Sequence, residues 1–153
     1  MRRGEKAILE RAEIDAIIRQ CPVCRLGFTD GMEPYIVPLN FGYDGSALYF
    51  HCAREGRKLE LLRRNPRVCF EFDVTEGLVR DATACRCSMG YRSVMGVGTA
   101  RMIEDPAGRQ VALAHLMAQY AEGAFEFPEA AVARVAIFRV DIESISGKQS
   151  PRA

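Results

Sequence analysis

No stretch of this 153-residue chain approaches the ~18 uninterrupted apolar residues that a helical membrane span requires, so no membrane-spanning helix is expected. Charge of one sign is lacking too: 21 Lys and Arg against 20 Asp and Glu leave a formal +1. That balance gives no global reason to expect nucleic acid or an anionic membrane as a partner, so any basic site must be local. Internal repeats, low-complexity tracts, a G-x-G-x-x-G fingerprint and a Walker sequence are all absent. The nearest approach, Gly96-Val97-Gly98, falls inside a strand pattern and reads as a barrel bend. Histidine is scarce, with only His51 and His115 available to titrate near neutrality. Residues 1–9 are charged throughout and have no apolar core of signal length, and a core this size needs no disulfide framework for its six cysteines. The expectation is a cytoplasmic protein with reduced thiols.

What is present suits one domain over residues 1–153: 48% hydrophobic residues give a real core, and the length is too short for two ordinary domains. Residues 8–20 place Ile8, Leu9, Ala12, Ile14, Ile17 and Ile18 at approximately helical spacing, which predicts an amphipathic helix. Strands follow over residues 23–29, closed by Asp30-Gly31, and over 35–43, closed by Asp44-Gly45. A helix over about 56–64 stops at Asn65-Pro66, and the next strand puts Val68, Phe70, Phe72 and Val74 on one face. Residues 76–90 lack clear periodicity and read as a loop with room for local structure, and 91–104 as a strand with small residues at Ser93, Gly96, Gly98 and Thr99. Asp105-Pro106 starts a helix, residues 125–131 connect, and 135–145 form a last strand with Ala136, Phe138, Val140 and Ile142 on its core face. Hairpin-joined strands outnumber helices and do not alternate with them, which predicts a mainly β fold: a small antiparallel barrel with flanking helices.

The stretch from Pro34 to Leu62 is the most informative. An apolar strand turns at Asp44-Gly45, a second strand ends on His51, and Gly56-Arg57-Lys58 opens a helix where backbone N–H groups and cations converge. This outlines an anion site. Of the adjacent pair Arg57 and Lys58, both cannot point inward from one helix, and Lys58 is the first choice. His51 is the candidate catalytic group, placed to bind phosphate, move a proton or ligate a haem iron. His115, between Ala114 and Leu116 on an amphipathic helix, reads as structural.

The motifs Arg25-Leu26-Gly27-Phe28, residues 34–41, Leu48-Tyr49-Phe50-His51, Gly56-Arg57-Lys58-Leu59, Asn65-Pro66, Tyr91-Arg92-Ser93-Val94 with Gly98, and Ile145-Ser146-Gly147-Lys148 occur in an order that spans most of the chain. As an ordered set they resemble the FMN-binding split-barrel superfamily of pyridoxamine 5'-phosphate oxidase-like proteins, and within it the nitroimidazole-resistance (NimA-like) group. The resemblance implies an antiparallel six-stranded split β-barrel of Greek-key type. It also implies that Val37, Pro38, Leu39, Asn40 and Phe41 lie along the isoalloxazine, with strand main-chain groups bonding the ring's polar edge. His51, Cys52, Arg57 and Lys58 would surround the phosphate. Ser93 would bond flavin or phosphate, Tyr91 would line the substrate mouth, and Arg92 and Val94 would belong to the same cofactor-side strand. Lys148 would reach the site from its own or a partner subunit, and a homodimer is implied. Relatives more often carry serine where this chain has Cys52, which puts that phosphate contact in question.

Cys21, Cys24, Cys85 and Cys87 form a C-x-x-C and a C-x-C, yet the C-x-C is tighter than a usual zinc knuckle, and no metal site is expected. Cys21-Pro22-Val23-Cys24 ends a helix instead of opening one, unlike a thioredoxin-type motif. The function expected is an FMN-dependent oxidoreductase in which a nicotinamide or other donor reduces the flavin and a small molecule, in this group a nitro compound, accepts hydride or electrons. The alternatives are a non-catalytic flavin- or haem-binding protein using His51, or a zinc- or iron–sulfur-bearing module.

Overall fold

The computed structural model describes residues 4–150; residues 1–3, at the head of the charged segment noted above, and 151–153 lie outside the described residues. Eight strands are formed: β1 Ala7–Ile8, β2 Cys24–Thr29, β3 Pro34–Leu39, β4 Gly42–Tyr43, β5 Ala47–Ala53, β6 Arg67–Val79, β7 Ser88–Met102 and β8 Val135–Gln149. Four helices flank them: α1 Arg11–Gln20, α2 Arg57–Arg64, α3 Pro106–Ala118 and α4 Glu129–Val132. The strands build one antiparallel sheet in the order β3-β2-β6-β7-β8-β5-β4, with β1 paired to β8. Two of the eight strands, β1 and β4, have only two residues each, so six carry the architecture.

Curvature follows from the connectivity. β3 and β4 stand at opposite ends of the strand order yet are joined through Asn40 and Phe41 alone. Laid flat, seven strands would separate these ends by roughly 29 Å, whereas a two-residue link spans roughly 10 Å. The sheet must therefore curl until its ends meet, which makes a barrel.

The interior is aromatic. Phe41, Phe50, Phe70, Phe72 and Phe138 are almost fully buried, with the Phe41 and Phe72 rings 4.8 Å apart and Phe50 stacked on Phe138 at 5.0 Å. Strand β6 shows the cause: its alternation puts Val68, Phe70 and Phe72 inside and Cys69 and Asp73 outside. Glycine lets β7 bend against its neighbours. A Cβ on Gly96 would lie 2.2 Å from the Phe70 ring, and one on Gly98 would lie 2.3 Å from the Asp141 carbonyl, beside a register shift at Val97/Gly98. Asp105 caps α3 by accepting from the Gly108 amide at 2.6 Å, ahead of Pro106 at the first turn.

Five local expectations change. The first helix starts at Arg11, because Ile8 instead pairs with Gly147 and buries its side chain in β1. The strand expected over 35–43 is two strands, broken at Asn40-Phe41, because the chain changes partners there from β2 to β5. Residues 76–90 are not simply a loop: β6 runs to Val79 and β7 starts at Ser88, after a register shift at Thr75/Gly77, and together they form a hairpin. The connector over 125–131 holds the start of α4. In β8 the pattern of one buried face fails at Ile137, which is fully buried on the other face beneath Ala112 of α3 and Val132 of α4.

Candidate functional site

The barrel's closure is incomplete along one line. β5 pairs with β8 over all seven of its residues, but on its other edge β4 covers only Leu48 and Tyr49. Phe50 to Ala53 therefore present a strand edge with no strand partner among the described residues, and β3 presents another beyond its pairing with β2. The two edges form the walls of a trough. Asn40-Phe41 joins them at one end and the start of α2 stands at the other. Along β3 the even positions Ile36, Pro38 and Asn40 are exposed, whereas Tyr35, Val37 and Leu39 are half-buried against the core. A proline within an exposed edge costs no ladder bond, which is why Pro38 is tolerated there.

At the α2 end the chemistry is cationic. Gly56 adopts φ 129°, ψ 166°, a conformation that favours glycine, and no atom lies within 4 Å of where its Cβ would be. Its carbonyl accepts from the Leu59 and Glu60 amides, leaving the amides of Arg57 and Lys58 without intrahelical acceptors. The two cations then differ. Arg57 pairs with Glu33 at 2.7 Å and lies over the Tyr35 ring at 4.8 Å, so it is held against the β2–β3 turn. Lys58 makes no ion pair among the described residues, and its charge acts on Cys52. Burial raises the pKa of the Cys52 thiol and Lys58 opposes that rise, so the thiol is a neutral, weak donor at neutral pH. His51, next along β5, is exposed.

The second group of expected site residues is elsewhere in the subunit. Ser93 and Lys148 are register partners on β7 and β8, and the Lys148 ammonium lies 5.8 Å from the Tyr91 ring centroid. Arg92 is bound to Glu76 at 2.6 Å and to the Gln20 side chain at 3.0 Å, while Val94 is fully buried in the barrel. His51 pairs with Ile137 near the start of the 15-residue β8, whereas Lys148 lies near its end. One subunit thus brings together Val37 to Phe41 with His51, Cys52 and Lys58 around the trough, and does not bring Lys148 to the phosphate end.

The paired cysteines are likewise separated by burial. Cys21 and Cys24 are buried at the junction of α1 and β2, and burial raises both thiol pKa values, Cys21 to about 11. Cys85 and Cys87 are exposed in the hairpin between β6 and β7. All six cysteines are free, and no cluster of three metal-ligating side chains occurs among the described residues. His115 stacks on Tyr49 with ring centroids 4.8 Å apart, a packing role.

Two features escaped sequence reading. A groove of about 1060 Å³ lies between α2, the end of β7, α3 and α4, and contains none of the expected residues. Three of its four arginines are engaged: Arg109 donates to the carbonyls of Ile103, Val132 and Val135, Arg54 to that of Ala133, and Arg101 pairs with Asp141 at 3.1 Å, while Arg63 forms no ion pair among the described residues. The other feature is the end of α3, where Gln119 and Tyr120 reach the barrel's joints. No local sequence signal marks either, because their partners are far away in the chain.

Residues 10–149 match the family profile described as pyridoxamine 5'-phosphate oxidase. A candidate 5-nitroimidazole antibiotic resistance protein of Bacteroides thetaiotaomicron is 35% identical, with 94% of this chain and 86% of that one aligned at a TM-score of 0.84. The flavocytochrome of Azotobacter vinelandii has the same fold at 22% identity, over 99% of this chain and 72% of that one, with a TM-score of 0.86. An FAD-binding protein of Mesorhizobium loti aligns at 25% identity over 94% and 96% of the two chains, with a TM-score of 0.66. An uncharacterized protein of Rhizobium meliloti is 28% identical over 64 residues, a match that spans 42% of its length.

Proposed function

Because the chain belongs to the pyridoxamine 5'-phosphate oxidase family and groups with its nitroimidazole-resistance members, we propose that it is a flavoprotein that holds FMN in the trough between β3 and β5. The observation that carries this reading is the coincidence of two unpaired strand edges with an uncommitted lysine and free helix amides at their shared end. The edges offer main-chain donors and acceptors to a planar heterocycle along Val37 to Phe41. The start of α2 offers what a phosphate dianion needs, an ammonium and N–H groups together. Lys58 is the phosphate cation. Arg57 supports the site through its backbone, since its guanidinium is held by Glu33 and Tyr35. Cys52 supplies at most a weak S–H donor, and His51, exposed beside it, adds a donor or a proton carrier at the same end.

The chain acts as an oxidoreductase. FMN held there would supply two-electron chemistry between a nicotinamide or other donor and a small acceptor such as a nitro compound. The protein's share would be to offer main-chain groups of Val37 to Phe41 to the ring and to neutralise the phosphate with Lys58 and the first amides of α2.

A homodimer completes the site. The outer face of the sheet carries Ile36, 67% exposed, whose register row runs through the small residues Gly27 and Cys69 to Val97, and Met95, 60% exposed, two residues from Val97 on the same strand. An exposed apolar sheet face of this kind suits a partner subunit. In that arrangement Tyr91, Ser93 and Lys148 reach the trough of the second copy, while Val94 stays in its own barrel and Arg92 stays with Glu76 and Gln20.

The absorption spectrum of the purified protein, before and after addition of FMN, tests the cofactor. Flavin bands that shift and sharpen on binding support the proposal. A Soret band that disappears in His51→Ala would replace flavin with haem, and a colourless protein that leaves the FMN spectrum unchanged would overturn it.

A further inference from the structure

Phe41 sits at the corner where the barrel closes, and its amide has no strand carbonyl to bond. The amide donates instead to the Tyr120 hydroxyl at 2.9 Å. That hydroxyl donates its own proton to the Pro22 carbonyl, also at 2.9 Å. A phenol has one proton to give, and both of its contacts run in the direction that chemistry allows. The adjacent Gln119 amide group donates to the carbonyls of Arg19 at 3.0 Å and Cys21 at 3.1 Å, which cap the end of α1. The end of α3 therefore ties two joints together: the α1–β2 link, where the Cys21-Pro22-Val23-Cys24 motif lies, and the β3–β4 link at the end of the trough. This gives that motif a role its thiols do not have, as a source of anchoring carbonyls.

A trans peptide is planar, so the N–H of Phe41 and the C=O of Asn40 point in opposite directions from one rigid plate. Fixing the N–H on Tyr120 therefore fixes the Asn40 carbonyl on the side away from α3. We infer that Tyr120 is a positioning residue for the cofactor: through Phe41 it sets the orientation of the Asn40–Phe41 peptide, and so of the main-chain acceptor that the trough offers to a ring N–H. The inference rests on the proposed FMN reading. Tyr120 itself touches no cofactor, being directed at Phe41 and Pro22.

The test compares three variants of the full-length protein by FMN titration and by visible circular dichroism at saturating FMN. Tyr120→Phe keeps the ring but frees the peptide; it is expected to weaken FMN roughly tenfold, the effect of one lost hydrogen bond, and to change the dichroism of the bound flavin. Gln119→Ala removes the neighbouring anchor without touching Phe41, and Tyr43→Phe removes a buried hydroxyl that donates to Asp15 at 2.6 Å. Both are expected to lower stability while leaving the saturated dichroism as in the unsubstituted protein. Unchanged affinity and dichroism in Tyr120→Phe would overturn the inference while leaving the FMN reading intact, as would the same dichroism change in all three. No FMN binding by the unsubstituted protein would overturn both. Hydrogen exchange of the unsubstituted protein gives a check that needs no variant. The Phe41 amide is expected to be protected before FMN is added, and exchange at the rate of a free amide would overturn the assignment.

Discussion

The trough along β3 and β5 and the groove between α2, α3 and α4 share one helix yet differ in what their polar groups already do. In the groove, Arg54, Arg101 and Arg109 are each engaged by carbonyls or a carboxylate of the chain itself, so three of its four arginines hold the fold together and Arg63 alone is left without an ion pair among the described residues. In the trough, strand edges lack strand partners, and Lys58 forms no ion pair among the described residues. The trough has the chemistry for an anionic, planar ligand, and the groove has committed most of its cations to structure.

Substitution of each cation by alanine breaks or sharpens that contrast. The largest effect is expected for Arg109→Ala, which removes three carbonyl contacts at once and costs about 3 kcal/mol in urea unfolding. FMN affinity, measured on the variant where it remains folded, should hold. Next is Lys58→Ala, for which FMN binding is expected to weaken by about 1.5–3 kcal/mol with riboflavin little affected, because only the phosphate is lost as a partner. Comparable losses for both flavins in a titration would move the phosphate away from Lys58.

A smaller effect belongs to the turn that opens β5. Burial works against ionisation of Asp44, but the Tyr49 hydroxyl and the Ser46 and Ala47 amides donate to it and hold its pKa at about 2. Its folded pKa is depressed, so its stabilisation is full above the unfolded value near 3.8 and is lost as pH falls toward 2. Allowing for solvent screening, the loss is on the order of 1 kcal/mol. Unfolding at pH 5 and pH 2.5 should show it in the unsubstituted chain and not in Asp44→Ala. The smallest effect is expected for Arg57→Ala. Its ion pair with Glu33 is exposed, so both stability and FMN affinity should shift by less than about 1 kcal/mol. A tenfold loss of FMN affinity in this variant would restore Arg57 as a phosphate ligand and erase the distinction between the two neighbours.

Much of this was legible in the sequence where the signal is local. The Val68, Phe70, Phe72 alternation, the Asp105-Pro106 start of α3 and the Gly56-Arg57-Lys58 opening of α2 each occur in the structure within a residue or two. Local signal also misled. The largely apolar run over 35–43 does not reveal that the chain changes partners at Asn40, because the change depends on strands from elsewhere in the chain, with β3 half-exposed and β4 buried. Ile8 fits a helical period as well as a two-residue strand. Ile137 is buried on the face expected to be polar because α3 and α4, from distant sequence, cover it. The site was legible in the same proportion. The cations at α2 could be found, but which of them is engaged depends on Glu33 and Tyr35 across a fold, and the Phe41–Tyr120 bond joins residues with no shared motif.

The central claim is that the trough recognises a flavin through its phosphate at Lys58. Titrating the purified protein with FMN and with riboflavin, and repeating both with Lys58→Ala, tests it most directly. The account predicts that FMN binds more tightly than riboflavin by roughly ten- to a hundredfold in the unsubstituted chain, and that the substitution largely abolishes this preference. A preference that survives in Lys58→Ala, or equal binding of the two flavins by the unsubstituted chain, would contradict it.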